Sequence, residues 1–176
     1  GYWWSSSNQE ILGITGMERK LSAMIDDPQC EVNLLNEQGI MTVFNSYGSG
    51  LRLWGNRTAA WPTVTHMRNF ENVRRTGDVI NESIRYFGQQ FIDMPVNQAL
   101  IDAIVESVRG FGRKLIGDGA LLGFDCWFDT ARNEETELAN GHLLISYKYT
   151  VPPPMERLTL ETEITSEYLL VLKGDD

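Results

Sequence analysis

Residues 70–91 read FENVRRTGDVINESIRYFGQQF, with Val73, Thr76, Ile80, Ile84, Phe87 and Phe91 recurring at intervals of three and four. That spacing predicts one helix carrying these residues along a single side, while Arg74, Arg75, Asp78, Glu82 and Arg85 point mostly elsewhere. A helix of this span is about 30 Å long at ~1.5 Å per residue, enough to cross a small domain. Gly77 and Gly88 each weaken it by about 1 kcal/mol relative to alanine, so packing rather than intrinsic propensity must hold it. The other elements are therefore expected to pack around it.

Downstream, Asp93, Met94 and Pro95 interrupt the pattern and Asn97 can cap a second helix. Leu100, Ile101, Ile104, Val105, Val108, Phe111 and Leu115 give that helix a broad apolar stripe, and Gly117 and Gly119 supply its stop. A strand is expected within residues 121–128, then a short acidic helix or turn over residues 133–140. In residues 142–149, Leu143, Ile145, Tyr147 and Tyr149 alternate with Leu144, Ser146 and Lys148, the pattern of a strand. Pro152, Pro153 and Pro154 end it, because proline donates no ladder hydrogen bond. Residues 157–164 alternate again, which predicts an antiparallel pair across the proline turn. The tail carries Tyr168, Leu169, Leu170, Val171 and Leu172 before GDD, reading as a covered edge strand or as one added to a neighbour's sheet.

Upstream, residues 1–16 join Tyr2, Trp3 and Trp4 to an apolar stretch from Ile11 to Ile14, an extended arm whose aromatics suit a core edge or a partner's pocket. Asp26, Asp27 and Pro28 mark a helix start leading to Val32, Leu34 and Leu35, with a stop at Gly39. Residues 40–44 fit a buried strand, residues 45–50 a turn, and Leu51–Trp54 a second strand in which Trp54 is a packing anchor. The expected fold is α/β, or α+β: one compact sheet covered by helices, with an N-terminal arm over residues 1–20, a domain over residues 21–165 and a C-terminal arm over residues 166–176.

At 176 residues, 42% hydrophobic and 22% charged, the chain can bury a real core as one domain. A net charge of -9 argues against broad attraction to nucleic acid or an anionic membrane, and no apolar run reaches the ~18 residues of a spanning helix. Residues 50–85 hold six positive and three negative charges, whereas residues 125–176 hold four positive and eleven negative. This is either ordinary surface unevenness or a charge-matched contact between copies. Cys30 and Cys126 fit reduced structural thiols rather than a disulfide framework or a metal set. The start at Gly1 suits a fragment or a processed product.

No Gly-rich phosphate loop, zinc-protease or esterase motif is present, so no catalytic, cofactor-binding or metal residue is assigned. His66 could serve as a general base, and Asp125 with Asp129 could share a proton or a hard cation, which leaves a small hydrolase as an alternative from another class. A loop histidine and solvated strand-end carboxylates are the plainer readings.

The stretches GLRLWGNRT, residues 50–58, and FENVRRTGDVINESI, residues 70–84, resemble the C-terminal region of contractile phage tail sheath proteins, as do SSSNQEILGITG, DDPQCEVNLLNEQGI, ALIDAIVESVRGF and ALLGFDCWFDT. The likeness covers nearly the whole chain. It implies a non-enzymatic structural subunit that polymerises around a tail tube and contracts during genome ejection, needing no cofactor. Implied partners are other sheath subunits, the tube protein, and baseplate and tail terminator proteins, without direct nucleic-acid contact or stable membrane insertion. The implied location is the virion tail, assembled in the bacterial host cytoplasm. A type VI secretion sheath or a phage-tail-like bacteriocin sheath is the nearest alternative. Terminal arms that join neighbouring sheets place candidate subunit contacts at Ile11 and Ile14 and at Tyr168, Leu170 and Leu172. Arg52, Arg57, Arg74 and Arg75 are the candidate polar contacts, because guanidinium groups pair carboxylates directionally.

Overall fold

The computed structural model describes residues 1–24, 27–45, 48 and 50–173. Asp26 of the expected first helix start, much of the 45–50 turn and the terminal GDD lie outside the described residues. The first helix, α1 (Glu31–Glu37), begins at an extended Cys30 after the Asp27 carboxylate accepts the Gln29 amide at 2.8 Å. It therefore starts later than the Asp-Asp-Pro signal suggests: that signal forms the turn before the helix. Strands β1 (Thr42–Asn45) and β2 (Leu51–Trp54) pair antiparallel, with Thr42 opposite Trp54 and Asn45 opposite Leu51. Cys30, Val32 and Phe44 form a small core beneath them, against which Trp54 packs edge-on to Phe44 at 5.2 Å.

The long helix, α2 (Glu71–Gly88), is followed by a 3₁₀ turn at Gln89–Phe91, so the periodic stretch is α-helical for most of its length and tightens at the end. Val73, Thr76 and Ile80 are buried as the spacing requires, and Ile80 has no exposure at all. Asn97 caps α3 (Gln98–Gly117) by accepting the Leu100 amide at 2.9 Å. Strands β3 (Gly123–Phe128) and β4 (Ile145–Thr150) pair antiparallel, bringing Cys126 opposite Tyr147. The intervening acidic stretch contains α4 (Glu135–Ala139).

Both helices lie over β3 and β4. Ile101, Val105 and Val108 from α3 meet Cys126 and the inward side chains Phe124, Ile145 and Tyr147, while Ile84 and Phe87 come from α2. A second cluster joins Val73 and Ile80 to Leu115, Leu121 and Val151, with Tyr2 and Trp3 from the N-terminus closing its edge. The molecule is thus mixed α and β with antiparallel sheets β1–β2 and β3–β4, the latter covered by the helical pair.

Two of the expected strands differ. Residues 157–164 form no strand, and β4 pairs with β3 instead. Leu158, Leu160 and Ile164 are exposed at 65%, 79% and 97%. Alternation records a two-faced segment and does not choose its partner: the inward face of β4 is satisfied by β3 and the helices, which leaves none of this chain's core for residues 157–164. The tail likewise is a 3₁₀ helix, Glu167–Lys173, rather than an edge strand.

Candidate assembly surfaces

Arg57 sits just past β2, where its backbone bridges Phe70. Its guanidinium lies between the rings of Trp61 and Phe70, 4.1 and 4.0 Å from their centroids. From there Nε donates to Glu156 Oε1 at 2.8 Å and Nη2 to the second oxygen of the same carboxylate, while Nη1 donates to the side-chain Oδ1 of the buried Asn69. A planar cation stacked on two rings and forked onto a carboxylate is strongly oriented, which a lysine would not reproduce. Arg57 therefore organises the loop after β2 and ties it to the chain beyond the prolines.

The other three arginines also engage their own chain. Arg75 pairs with Glu71 at 2.6 Å and donates to the carbonyls of Tyr2 and Trp4, fastening the N-terminus onto α2. Asn72 adds to this by donating to the Trp3 carbonyl at 3.0 Å. Arg52 donates to the Asn8 carbonyl at 2.7 Å. Arg74 pairs with Asp78 one turn along α2 at 3.0 Å, and its side chain remains 68% exposed.

The N-terminal arm folds back on β2. Asn8 and Ile11 donate to Leu53 and Leu51, Leu53 donates to Gln9, and Glu10 bridges Arg52. The Ile11 amide is thereby occupied within its own subunit, whereas Leu12 and Ile14 are exposed. At the other terminus Tyr168, Leu169, Leu170, Val171 and Leu172 are each at least 61% exposed. Among the described residues, neither outer edge of the β3–β4 pair carries another strand.

The residues considered for hydrolysis occupy local structural roles. His66 Nδ1 accepts the Arg68 amide at 3.1 Å, capping the 3₁₀ turn Met67–Asn69, beside an open groove that also holds Asp78, Asn81 and Tyr149. Asp125 accepts the Cys126 amide at 2.8 Å and faces Arg109 at 3.6 Å, while Asp129 caps the turn Thr130–Arg132. Among the described residues no cluster of His, Cys, Asp and Glu has the makings of a metal site. Cys30 and Cys126 are free and buried, and desolvation pushes the Cys126 thiol above its ordinary value.

Residues 63–165 match the phage tail sheath C-terminal domain, and residues 1–59 match the phage tail sheath protein central domain. The chain belongs to the phage tail sheath protein family. The tail sheath protein of Burkholderia phage BcepMu is 82% identical over 174 residues, covering 99% of this chain and 36% of that protein. That of Escherichia phage P2 is 32% identical, covering 96% of this chain and 41% of the relative. The chain thus spans roughly two-fifths of the length of these sheath relatives. In fold it is similar to the contracted helical sheath of the anti-feeding prophage, with a TM-score of 0.79 and 20% identity over 93% of this chain and 45% of that one. It is also similar to the contracted sheath complex of an extracellular contractile injection system, with a TM-score of 0.80 and 16% identity over 96% of this chain and 47% of that one.

The sheath likeness was legible in the motif stretches. Glu156, Trp61 and Asn69 as partners of Arg57 were not: Glu156 lies 99 positions away and belongs to no local pattern.

Proposed function

We propose that this chain is a structural part of a contractile phage tail sheath, which polymerises around the tail tube and shortens during genome ejection. The observation that carries the reading, given the family, is the C-terminal segment: residues 157–173 are exposed throughout the residues whose side chains are described, yet they bear Leu158, Leu160, Ile164 and the Tyr168–Leu172 apolar run. A segment of that composition is stabilised by a partner surface, and the two-stranded β3–β4 sheet of another copy offers backbone edges to which an arm can add. Tyr168, Leu170 and Leu172 lead the contact at this end. At the other end Ile14 and the side chain of Ile11 join it, because the Ile11 amide is already paired.

Arg74 is the most accessible of the four arginines for exchange onto a neighbour, with Arg52, Arg57 and Arg75 supporting the surface from within. The division into residues 1–20, 21–165 and 166–176 is kept as arm, body and arm, with the exposed residues 157–165 at the end of the middle segment serving as connector to the second arm. The tube lies inside the assembly, baseplate and terminator proteins close its ends, and assembly takes place in the bacterial host cytoplasm. The 82% identity to a phage sheath favours a virion over a secretion-system or bacteriocin sheath.

Electron microscopy of the chain fused to the part of a sheath relative that it does not cover tests the proposal. Stacked rings or tubes are expected, and copies lacking residues 168–176 should fail to join them. Persistent monomers in the presence of tube protein would overturn the reading. A DNA-filled head on particles carrying the chain would support the virion, and headless particles the bacteriocin.

A further inference from the structure

We propose that the Arg57–Glu156 pair sets the hinge of the C-terminal arm, so that residues 151–156 move with the body and bending begins only at residue 157. The inference rests on the sheath reading for its use, but not for its geometry. Val151 is 1% exposed, in the cluster with Val73 and Ile80, and Asn72 donates to the Pro152 carbonyl at 3.3 Å. Three successive prolines follow, each with φ held near -65°, which makes the connection a stiff spacer rather than a joint. Glu156 then returns to the body through both carboxylate oxygens on Arg57.

Arg57 is itself immobilised: its side chain is 15% exposed, two rings sandwich it, and the fully buried Asn69 fixes the remaining nitrogen. The 151–156 stretch is thus pinned at both ends and stiff between them. Beyond it, among the described residues, no hydrogen bond ties residues 157–173 to the body. The prolines that look like the turn in the sequence are a bracket, and the freely rotating bonds lie after them. In an assembly this fixes the direction in which the arm leaves and confines to residues 157–165 the bending that lets a body rotate while its arm stays attached.

Backbone ¹⁵N relaxation on the chain in solution tests the placement. Order parameters for Val151, Met155 and Glu156 should match rigid backbone, about 0.85, and fall below about 0.6 from Leu158 onward. Glu156→Gln should drop Met155 and Glu156 to the mobile level while leaving Val151 rigid, and Glu156→Asp should restore part of the order. Arg57→Lys, which keeps the charge and loses the fork, should behave like Glu156→Gln. Unchanged amide shifts in α2 and α3 show that the body is intact in each variant. Met155 and Glu156 as mobile as Leu158 in the unmodified chain, or rigid in Glu156→Gln, would overturn the hinge. A rigid bracket together with persistent monomers in the electron-microscopy test would instead count against the sheath reading alone.

Discussion

Glycines in the helices separate two roles that look identical in sequence. A Cβ at Gly112 would come within 2.2 Å of the Phe124 ring, and one at Gly77 within 2.7 Å of the Tyr149 hydroxyl. At Gly88 it would meet nothing within 4 Å, on a helical backbone with φ of -61°. The close approach of α3 to β3 thus needs hydrogen at position 112. Gly112→Ala should lower stability by about 1–3 kcal/mol through overpacking, whereas Gly88→Ala should raise it by about 0.5–1 kcal/mol by restricting the unfolded chain. Urea denaturation midpoints check both, and equal shifts would refute the distinction. Gly77, read in the sequence as a weakness of α2, is a place where an aromatic side chain enters, and Gly112 in α3 is another.

Helix α2 and strand β4 are joined by tyrosines. The Tyr147 hydroxyl donates to Asn81 Oδ1 at 2.6 Å, and that of Tyr149 rests over Gly77. Desolvation raises both phenols above the ordinary value of 10.0; Arg85 partly opposes this at Tyr147, while Tyr147 itself reinforces it at Tyr149. A group whose folded value is raised contributes stability that is present below its unfolded value and lost as pH climbs through the folded one. Tyrosine absorbance should therefore show a late-titrating class above pH 10.0, with weakening of the α2–β4 contact over the same range. Tyr147→Phe should remove one late titration and the hydrogen bond, costing about 1 kcal/mol. Loss of all late titration in that single variant would contradict the separate placement of the two rings.

At the scale of the whole molecule, the cores close without the C-terminal arm. Among the described residues, none from 157 onward enters any of the three buried clusters. Removing residues 166–176 should leave the melting temperature within about 1–2 °C, because surface changes away from packed features usually stay within ±0.5 kcal/mol. The same truncation should abolish assembly. A large fall in melting temperature would mean that the tail belongs to the body. If the basic 50–85 stretch meets the acidic last quarter of a neighbour, assembly should also weaken between low and high salt, which light scattering reads directly.

The sequence by itself determined the elements whose partners are close in the chain or encoded in their own period. Helix α2 and its Val73–Thr76–Ile80 face, the Asn97 cap, the stripe of α3 and the alternation of β4 all follow from local geometry, and the sheath motifs supplied the family. Tertiary structure decided what periodicity leaves open. It paired β4 with β3 rather than with residues 157–164, folded the N-terminal arm onto β2, and brought Glu156 to Arg57 across 99 positions. The physical reason is common to all three. Side-chain pattern specifies which faces must be covered, but a strand edge or a guanidinium accepts any partner of suitable chemistry, and only the packed chain brings one of them within reach.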